Sequence, residues 1–302
     1  MPAYEFVTVN VFTAERFGGN PLAVFPDATG LTDAQMQDIA AEFNLSETTF
    51  VLPPADPRHH ARVRIFTPKT EMPFAGHPNV GTGYVLARIA GDPPEHYTFE
   101  EIAGLVRVHI LRDPAGAITG ARISAPRSLT LDIAVPSEIV AACVGLPESD
   151  IISETHAPIV ASVGTQFVIA EVGSVEALSR ARPSIAAFED AVSRFPSLSG
   201  RFNVLLYARP GESLIQLRTR MFAPLAGVTE DPATGSAAAA LAALLTSLAP
   251  GDNVDLHYEI EQGAEMGRPS QIVASASKTG EGPVMATVSG SCVPVGRGTL
   301  EV

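Results

Sequence analysis

Cysteine is almost absent from this sequence of 302 residues, and positive charge is scarce. The two cysteines, Cys143 and Cys292, are too few for a disulfide framework, and Cys143 falls among apolar residues of a predicted helix. Twenty Lys and Arg residues stand against 33 Asp and Glu residues, so the formal net charge is −13. An acidic chain is a poor partner for nucleic acid or an anionic membrane surface, and we expect neither.

Long apolar runs are also missing. No stretch has the length needed to span a membrane, and no basic segment followed by an apolar run stands near the first residue. We therefore expect no membrane segment, no signal peptide and a location in the cytoplasm.

Several motifs that carry chemistry are absent as well. No Gly-x-Gly-x-x-Gly follows a predicted strand, so dinucleotide binding has no support. His59 and His60 are adjacent, which is not the spacing of metal ligands on a helix. Ser236 lacks the surrounding sequence of a nucleophile elbow. We expect neither a metal nor an organic cofactor.

The sequence contains an internal repeat. Residues 62–68 (RVRIFTP) return as residues 218–224 (RTRMFAP), at an offset of 156 (218 − 62). Residues 77–82 (HPNVGT) return as residues 231–236 (DPATGS), at an offset of 154 (231 − 77). The period is too long for a solenoid, and it predicts two related halves. We place them at residues 1–126 and 127–302.

Both copies predict the same order of local structure. Alternation of side chains in residues 62–66 predicts a strand that ends at a proline. An apolar helix follows, from Pro78 to about residue 89 in the first half and from Pro232 to about residue 245 in the second. His77 and Asp231 are then expected at the N-caps. A helix that is apolar all round is expected at the centre of a core, so the predicted fold class is α+β, each half a curved or barrel-like sheet around one helix.

Other segments carry weaker signals. Thr32 and Gln35 form a capping box for a helix that is expected to end near Asn44. Near the end of the chain, separate strands are predicted at residues 284–289 and 292–295, divided at Ser289-Gly290-Ser291.

One carboxylate stands out at the start of the strand predicted from Thr48. Under the offset of 156, Glu47 aligns with an amide, Asn203. A single proton carrier suits a one-base mechanism, and a buried glutamate can both take and give a proton. His77 could donate to a developing oxyanion or relay a proton, and Asp231 could orient an amine or hydroxyl of a ligand. If the two helix N-termini meet, the cleft between them suits a carboxylate.

Motifs spread over nearly the whole chain resemble the PhzF-like phenazine-biosynthesis family. They are residues 19–25 (GNPLAVF), 46–51 (SETTFV), 66–68 (FTP), 73–78 (PFAGHP), 231–237 (DPATGSA), 262–263 (QG) and 266–270 (MGRPS). The family is similar in fold to diaminopimelate epimerase, with two domains and an active site between them. The resemblance implies metal- and cofactor-free isomerase chemistry and a homodimer, with the last strand crossing back to the first half.

The resemblance also implies roles for individual residues. Glu47 matches the glutamate that shuttles the proton, His77 the family histidine and Asp231 the family aspartate. Gly76 and Ser236 match positions that hold the substrate carboxylate. Related epimerases and proline racemases have two cysteines where this chain has His77 and Asp231, which argues against two-cysteine racemisation. We expect Asn20, Pro78 and Gly235 to contact the substrate as well.

These observations predict a cofactor-independent isomerase that moves a proton on a small carboxylate-bearing, cyclic or amino-acid-like substrate. Two alternatives remain open at this level. The chain could be a non-catalytic protein that binds a small acid, or a lyase or hydrolase that uses the same glutamate.

Overall fold

The computed structural model describes residues 2–198 and 200–302, which form two compact units. The chain up to Pro126, together with Thr287–Val302, forms unit 1, and Arg127–Ala286 forms unit 2. The chain therefore leaves unit 1, builds unit 2 and returns. Within the described residues, every helix is too short or too polar to cross a bilayer.

Unit 1 consists mainly of strands. Its elements are β1 (Ala3–Val11), β2 (Asn20–Phe25), α1 (Asp33–Phe43), β3 (Glu47–Leu52), β4 (Ala61–Phe66), β5 (Glu71–Met72), α2 (Gly76–Ala90), β6 (His96–Glu101), β7 (Gly104–Arg112), β8 (Ile118–Ser124) and most of β18 (Met285–Glu301).

The strands of unit 1 close into a barrel. Pairing runs β1–β2–β3–β4–β6–β7–β8–β18, and β18 returns to β1. β18 makes both of the closing contacts: residues 287–291 pair with β8, and residues 292–301 pair with β1. A barrel closed in this way has no open edge at the joint between β8 and β1.

Helix α2 lies inside this barrel, against β1, β2, β3, β7 and β8. Its residues from Gly76 to Val85 are all buried. Small residues let the surrounding strands come close. A Cβ on Gly83 would stand 2.5 Å from Val108 Cγ1, and one on Gly81 would stand 2.5 Å from Leu22 Cδ2. The expectation of an apolar central helix is confirmed for this unit.

Helix α1 covers the outside of the barrel and has the predicted ends. The Thr32 side chain accepts from the Gln35 N–H while the Gln35 side chain accepts from the Thr32 N–H, which completes the capping box. Asn44 ends the helix in the left-handed region, at φ 49°. The buried face packs on a cluster of aromatic rings that includes Phe25, Phe50 and Phe66.

Unit 2 repeats the plan with additional helices. Its elements are β9 (Thr130–Ala134), α3 (Ser137–Val144), β10 (Ile151–Ile152), β11 (Ile159–Ser162), β12 (Gln166–Val172), α4 (Val175–Arg180), α5 (Ile185–Arg194), β13 (Val204–Ala208), β14 (Gln216–Ala223), β15 (Val228–Asp231), α6 (Gly235–Leu248), β16 (Asn253–Gln262) and β17 (Ser270–Thr279).

The sheet of unit 2 runs β9–β11–β12–β13–β14–β16–β17. Helix α6 packs on β11, β12, β16 and β17 and is buried almost all round. α3 and α5 cover a second apolar cluster, in which Cys143 is fully buried as a core residue, as its apolar neighbours predicted.

The internal repeat appears in the strand registers. In unit 1 Thr48 lies opposite Phe66, and in unit 2 Val204 lies opposite Phe222, which is the same pair at the offset of 156. The neighbouring pairing is parallel in both units, between β2 and β3 and between β12 and β13. The two units therefore share one strand pattern.

Three expectations about helix starts and strand ends are wrong. His77 is the second residue of α2, whose N-cap is Ala75. Asp231 is the last residue of β15, and Thr234 is the N-cap of α6. The two strands predicted near the end of the chain are one continuous strand, β18, because Ser289, Gly290 and Ser291 pair with β8.

Candidate active site

Three of the predicted site residues meet at one end of the unit 1 barrel. Glu47 begins β3 and Asn20 begins the parallel strand β2, so both stand at the same edge of the barrel. Helix α2 also begins at this end and carries His77 in its first turn. Glu47 Oε2 lies 3.4 Å from His77 Nε2, and Asn20 Nδ2 lies 3.3 Å from His77 Nδ1.

The contact with Asn20 indicates the tautomer of His77. The Asn20 amide nitrogen can only donate, so Nδ1 of His77 accepts and carries no proton. In the neutral imidazole the proton then sits on Nε2, the nitrogen that faces Glu47. The Nε2 N–H of His77 therefore lies close to the Glu47 carboxyl group, at 3.4 Å between Nε2 and Oε2, but this contact does not have the geometry of a hydrogen bond.

Burial keeps that imidazole neutral. His77 is 4% exposed, and removal from water lowers its pKa to about 3. Its contact with Glu47 is therefore not an ion pair at neutral pH. The neutral His77 has one N–H as a donor and is a poor acceptor of a second proton.

The other predicted residues of unit 1 lie in the same helical turn. Gly76 is the first residue of α2 and Pro78 the third, and both are buried. No side chain caps this end, because the N-cap is Ala75. The first N–H groups of a helix have no partner within the helix, and its dipole favours a negative group there. The turn can thus bind a carboxylate beside Glu47.

In unit 2, the predicted residues share one short segment. Asp231 ends β15, and Gly235 and Ser236 open α6. The Thr234 hydroxyl donates to Asp231 Oδ2 over 2.6 Å, and both residues are buried. Asn203, the counterpart of Glu47, lies just before β13, and its carbonyl accepts from the Val168 N–H.

Sequence reasoning did not assign a role to Gln262. Its side chain is 1% exposed and binds both ends of the segment, donating to the Asp231 carbonyl over 2.7 Å and accepting from the Thr234 N–H over 3.2 Å. The only signal was its place in a family motif, which does not show what it touches.

Glu101 was also missed. It ends β6, and both carboxyl oxygens are buried, with no well-aligned hydrogen bond among the described residues and only the Asn79 side chain near enough to interact. Burial raises its pKa to about 8, and the Asn79 amide, which acts in the opposite direction, offsets this only in part. Asn79 itself lies in α2 and donates to the Ala75 carbonyl over 3.0 Å. A pair of glutamates, Glu100-Glu101, gives no sign in sequence of which one is buried.

His60, His96 and His109 lie side by side on unit 1, with ring centroids 6.3 and 5.5 Å apart along the row. Among the described residues, however, no three His, Cys, Asp or Glu side chains are grouped so that they could hold a metal ion.

Comparison with known proteins identifies the family of this chain. Residues 9–298 match the family described as phenazine biosynthesis-like protein. An uncharacterized isomerase of Mesorhizobium japonicum is 38% identical, over 99% of this chain and 99% of the relative. The trans-2,3-dihydro-3-hydroxyanthranilate isomerase of Pseudomonas aeruginosa is 37% identical, over 95% of this chain and 96% of the relative. The predicted resemblance is confirmed.

Solved structures give the same result for the fold. The crystal structure of a phenazine biosynthesis protein of the PhzF family from Bacillus anthracis superposes with a TM-score of 0.87. It is 24% identical and the match covers 100% of both chains. The predicted fold class is confirmed.

Proposed function

The chain belongs to the family of phenazine biosynthesis-like proteins and is an isomerase, and from this premise we propose that Glu47 moves a proton on a small carboxylate-bearing substrate without a cofactor. The observation that carries the proposal is the contact between Glu47 and a buried, neutral His77. A carboxyl group at the edge of a barrel, beside the first turn of a helix, has both the base and an anion-binding end close together.

The proposed reaction needs only one acid/base. The Glu47 carboxylate takes a proton from a carbon of the substrate, and the electron pair left behind spreads into the adjoining π system. The Glu47 carboxylic acid then returns the proton to a different carbon, so the double bonds shift and no atom is gained or lost. The neutral His77 side chain, with Nε2 3.4 Å from Glu47 Oε2, packs against that carboxyl group and helps to hold it in place.

Substrate binding is divided among the remaining predicted residues. The N–H groups of Gly76 and its turn, with Pro78 shaping it, bind the substrate carboxylate, and Asn20 orients His77. Gly235 and Ser236 present a second helix N-terminus of the same kind. Asp231 accepts a hydrogen bond from an amine or hydroxyl of the substrate.

The names of the relatives suggest a first substrate to test. Relatives in three Pseudomonas species are trans-2,3-dihydro-3-hydroxyanthranilate isomerases, at 34 to 37% identity. That molecule carries the carboxylate, amine and hydroxyl that the proposed site would bind. We propose it, or a close cyclic amino acid, as the substrate. The homodimer and the cytoplasmic location stay predictions from sequence.

The decisive variant is Glu47→Gln, which keeps the shape of the side chain but cannot accept a proton. We expect it to lower turnover by at least about a hundredfold, the scale of a lost general base, while folding is unchanged. Wash-in of solvent deuterium at a substrate carbon, followed by ¹H NMR in D₂O, measures the proton transfer itself.

Glu42→Gln is the matched control, because Glu42 is an exposed glutamate on α1. It should exchange at the wild-type rate. Exchange at that rate in Glu47→Gln would refute the role of Glu47. Binding of the acid without any exchange by the wild-type protein would show that this acid is not the substrate.

A further inference from the structure

The contacts of Gln262 and Thr234 beside Asp231 determine the directions of their own side-chain hydrogens. Gln262 Oε1 faces the Thr234 N–H, which can only donate, so that atom must be the amide oxygen. Gln262 Nε2 faces the Asp231 carbonyl, which can only accept. One partner can only donate and the other can only accept, so together they determine the orientation of the Gln262 amide.

The remaining hydrogen of the amide then determines the hydroxyl. Gln262 Nε2 also lies 3.1 Å from Thr234 Oγ1 and gives its second hydrogen to that oxygen. Since Thr234 Oγ1 accepts from Gln262, its own hydrogen is available for Asp231 Oδ2, 2.6 Å away. The chain of donors runs from Gln262 through Thr234 to the Asp231 carboxylate.

The backbone holds this arrangement tightly. Gly263, next to Gln262, has φ +77°, and a Cβ there would stand 2.5 Å from the Pro232 carbonyl oxygen. The same carbonyl accepts from the Ser270 hydroxyl over 2.9 Å. Thr219 Oγ1 lies 3.4 Å from Gln262 Oε1 and adds a further contact to the amide. Gln262 is thus fixed against the segment that carries Asp231.

We infer that Thr234 and Gln262 are positioning residues that commit the Asp231 carboxylate to accepting hydrogen bonds. The Thr234 hydroxyl donates to one carboxylate oxygen of Asp231, so that oxygen must be an acceptor. The same bond fixes the rotation of the carboxylate and hence the direction in which its other oxygen points. The substrate group that meets Asp231 must then be a donor, an amine or a hydroxyl. This inference rests on the proposed function, since it assumes that Asp231 binds the substrate.

Two variants of Thr234 separate the hydroxyl from the side-chain volume. Thr234→Val keeps the volume and loses the donor, and we expect kcat/KM for trans-2,3-dihydro-3-hydroxyanthranilate to fall by about 10- to 100-fold, the scale of a hydrogen bond to a charged group. Thr234→Ser keeps the hydroxyl and should retain most of the activity. A wild-type value for a folded Thr234→Val would overturn the inference.

A double-mutant cycle tests whether Thr234 acts through Asp231. In the Asp231→Asn background, Thr234→Val should change kcat/KM little, because the group it positions is already lost. A purely structural role would make the two losses multiply, and that result would overturn the inference. Circular dichroism checks the folding of each variant.

The hydroxyl hydrogen itself gives a readout that needs no substrate. A buried hydroxyl bound to a carboxylate exchanges slowly with water, so ¹H NMR should show the Thr234 hydroxyl proton, with a nuclear Overhauser contact to the Gln262 amide. The signal should vanish in Thr234→Val and move in Asp231→Asn. If the wild-type protein does not turn over the probe, the proposed substrate fails, and the presence or absence of this proton still decides the hydrogen-bond chain.

Discussion

Two buried titratable side chains of unit 1 are held neutral near pH 7 by the same cause. Burial lowers the pKa of His77 to about 3 and raises the pKa of Glu101 to about 8. Loss of water penalises the charged form in each case, which is the imidazolium for His77 and the carboxylate for Glu101. Both side chains lie on or beside the start of α2. Acid therefore destabilises this region through His77, and alkali destabilises it through Glu101.

For His77, acid is the destabilising condition. The unfolded histidine binds a proton below about pH 6.5 whereas the folded one resists it down to about pH 3, so the stability of the wild-type protein falls as pH drops between these values. The His77→Gln variant lacks this pH-dependent contribution to stability. The difference in unfolding free energy between wild type and variant should fall by about 1 kcal/mol from pH 7 to pH 5.5. Urea unfolding at several pH values measures it, and a difference that does not change with pH would contradict the low pKa.

For Glu101, alkali is the destabilising condition. Its folded pKa lies above its ordinary value of 4.5, so its contribution to stability is complete below about pH 4.5 and is lost as pH rises towards about 8. The Glu101→Gln side chain cannot ionise. As pH rises across this window, the unfolding free energy of the variant should increase relative to that of the wild type by up to about 1 kcal/mol per pH unit. Melting temperatures at pH 5 and pH 8 test this. Glu95→Gln, at an exposed glutamate just before β6, should show no such trend.

At the scale of elements, α2 is unusual because it has strands on nearly every side. Its glycines are positions where a strand of the barrel presses on the helix, since a Cβ on Gly83 would meet Val108. An added methyl group there cannot be accommodated by moving into solvent. The helix is thus fixed by close contact rather than by the intrinsic preferences of its residues.

Gly83→Ala tests this packing. Alanine favours a helix over glycine by up to about 1 kcal/mol, but overpacking a closed core costs about 1 to 3 kcal/mol, so we expect net destabilisation. Chemical denaturation gives the value. Gly211→Ala is the control, because a Cβ on Gly211 meets nothing within 4 Å. Equal or greater stability of Gly83→Ala would show that the barrel expands without cost.

The sequence predicted most elements because their signals are local. Strand β4 follows from alternation, and both ends of α1 follow from Thr32, Gln35 and Asn44. The helix starts failed because proline fits anywhere in a first turn, where its missing N–H has no partner to lose, so Pro78 did not mark the first position.

Long-range contacts explain the remaining errors. The side chain of Gln262 binds the Asp231 carbonyl and the Thr234 N–H, which holds residues 231–234 outside the helix, and α6 begins at Gly235. Gly290 lies within a strand and not in a turn, because it pairs with Ala121 of β8. The strands are close here, since a Cβ on the neighbouring Gly120 would stand 2.0 Å from the Gly290 carbonyl oxygen. Contacts between residues that are distant in sequence also limit what could be predicted of the site. Glu47 and His77 stand at the start of predictable elements, whereas the contacts of Gln262 and Glu101 depend on residues far away in sequence.

At the scale of the whole molecule, unit 1 is discontinuous. Its barrel takes strands from the first 126 residues and its last strand from residues 287–301, with all of unit 2 in between. Since β18 pairs with β8 on one part and with β1 on the other, no other strand can replace it. Removal of β18 should therefore open the barrel that holds Glu47 and His77.

A chain that stops after Ala286 tests this dependence. We expect the backbone amides of β1 and β8 to lose protection against hydrogen exchange, because both lose their partner strand, while β12 and β13 of unit 2 stay protected. Hydrogen exchange with mass spectrometry resolves the two units. A control chain lacking only Glu301 and Val302 should behave like the full one. Protected β1 and β8 amides in the shorter chain would show that the barrel persists without β18.

The late arrival of β18 also bears on protein synthesis. A nascent chain usually folds from its first domain onward as it leaves the ribosome, but this one makes Glu47 and His77 long before the strand that encloses them. The barrel of unit 1 therefore stays incomplete until β18 has been synthesised, after all of unit 2. A premature stop codon before the region that encodes β18 would therefore damage a barrel whose other strands are encoded far upstream.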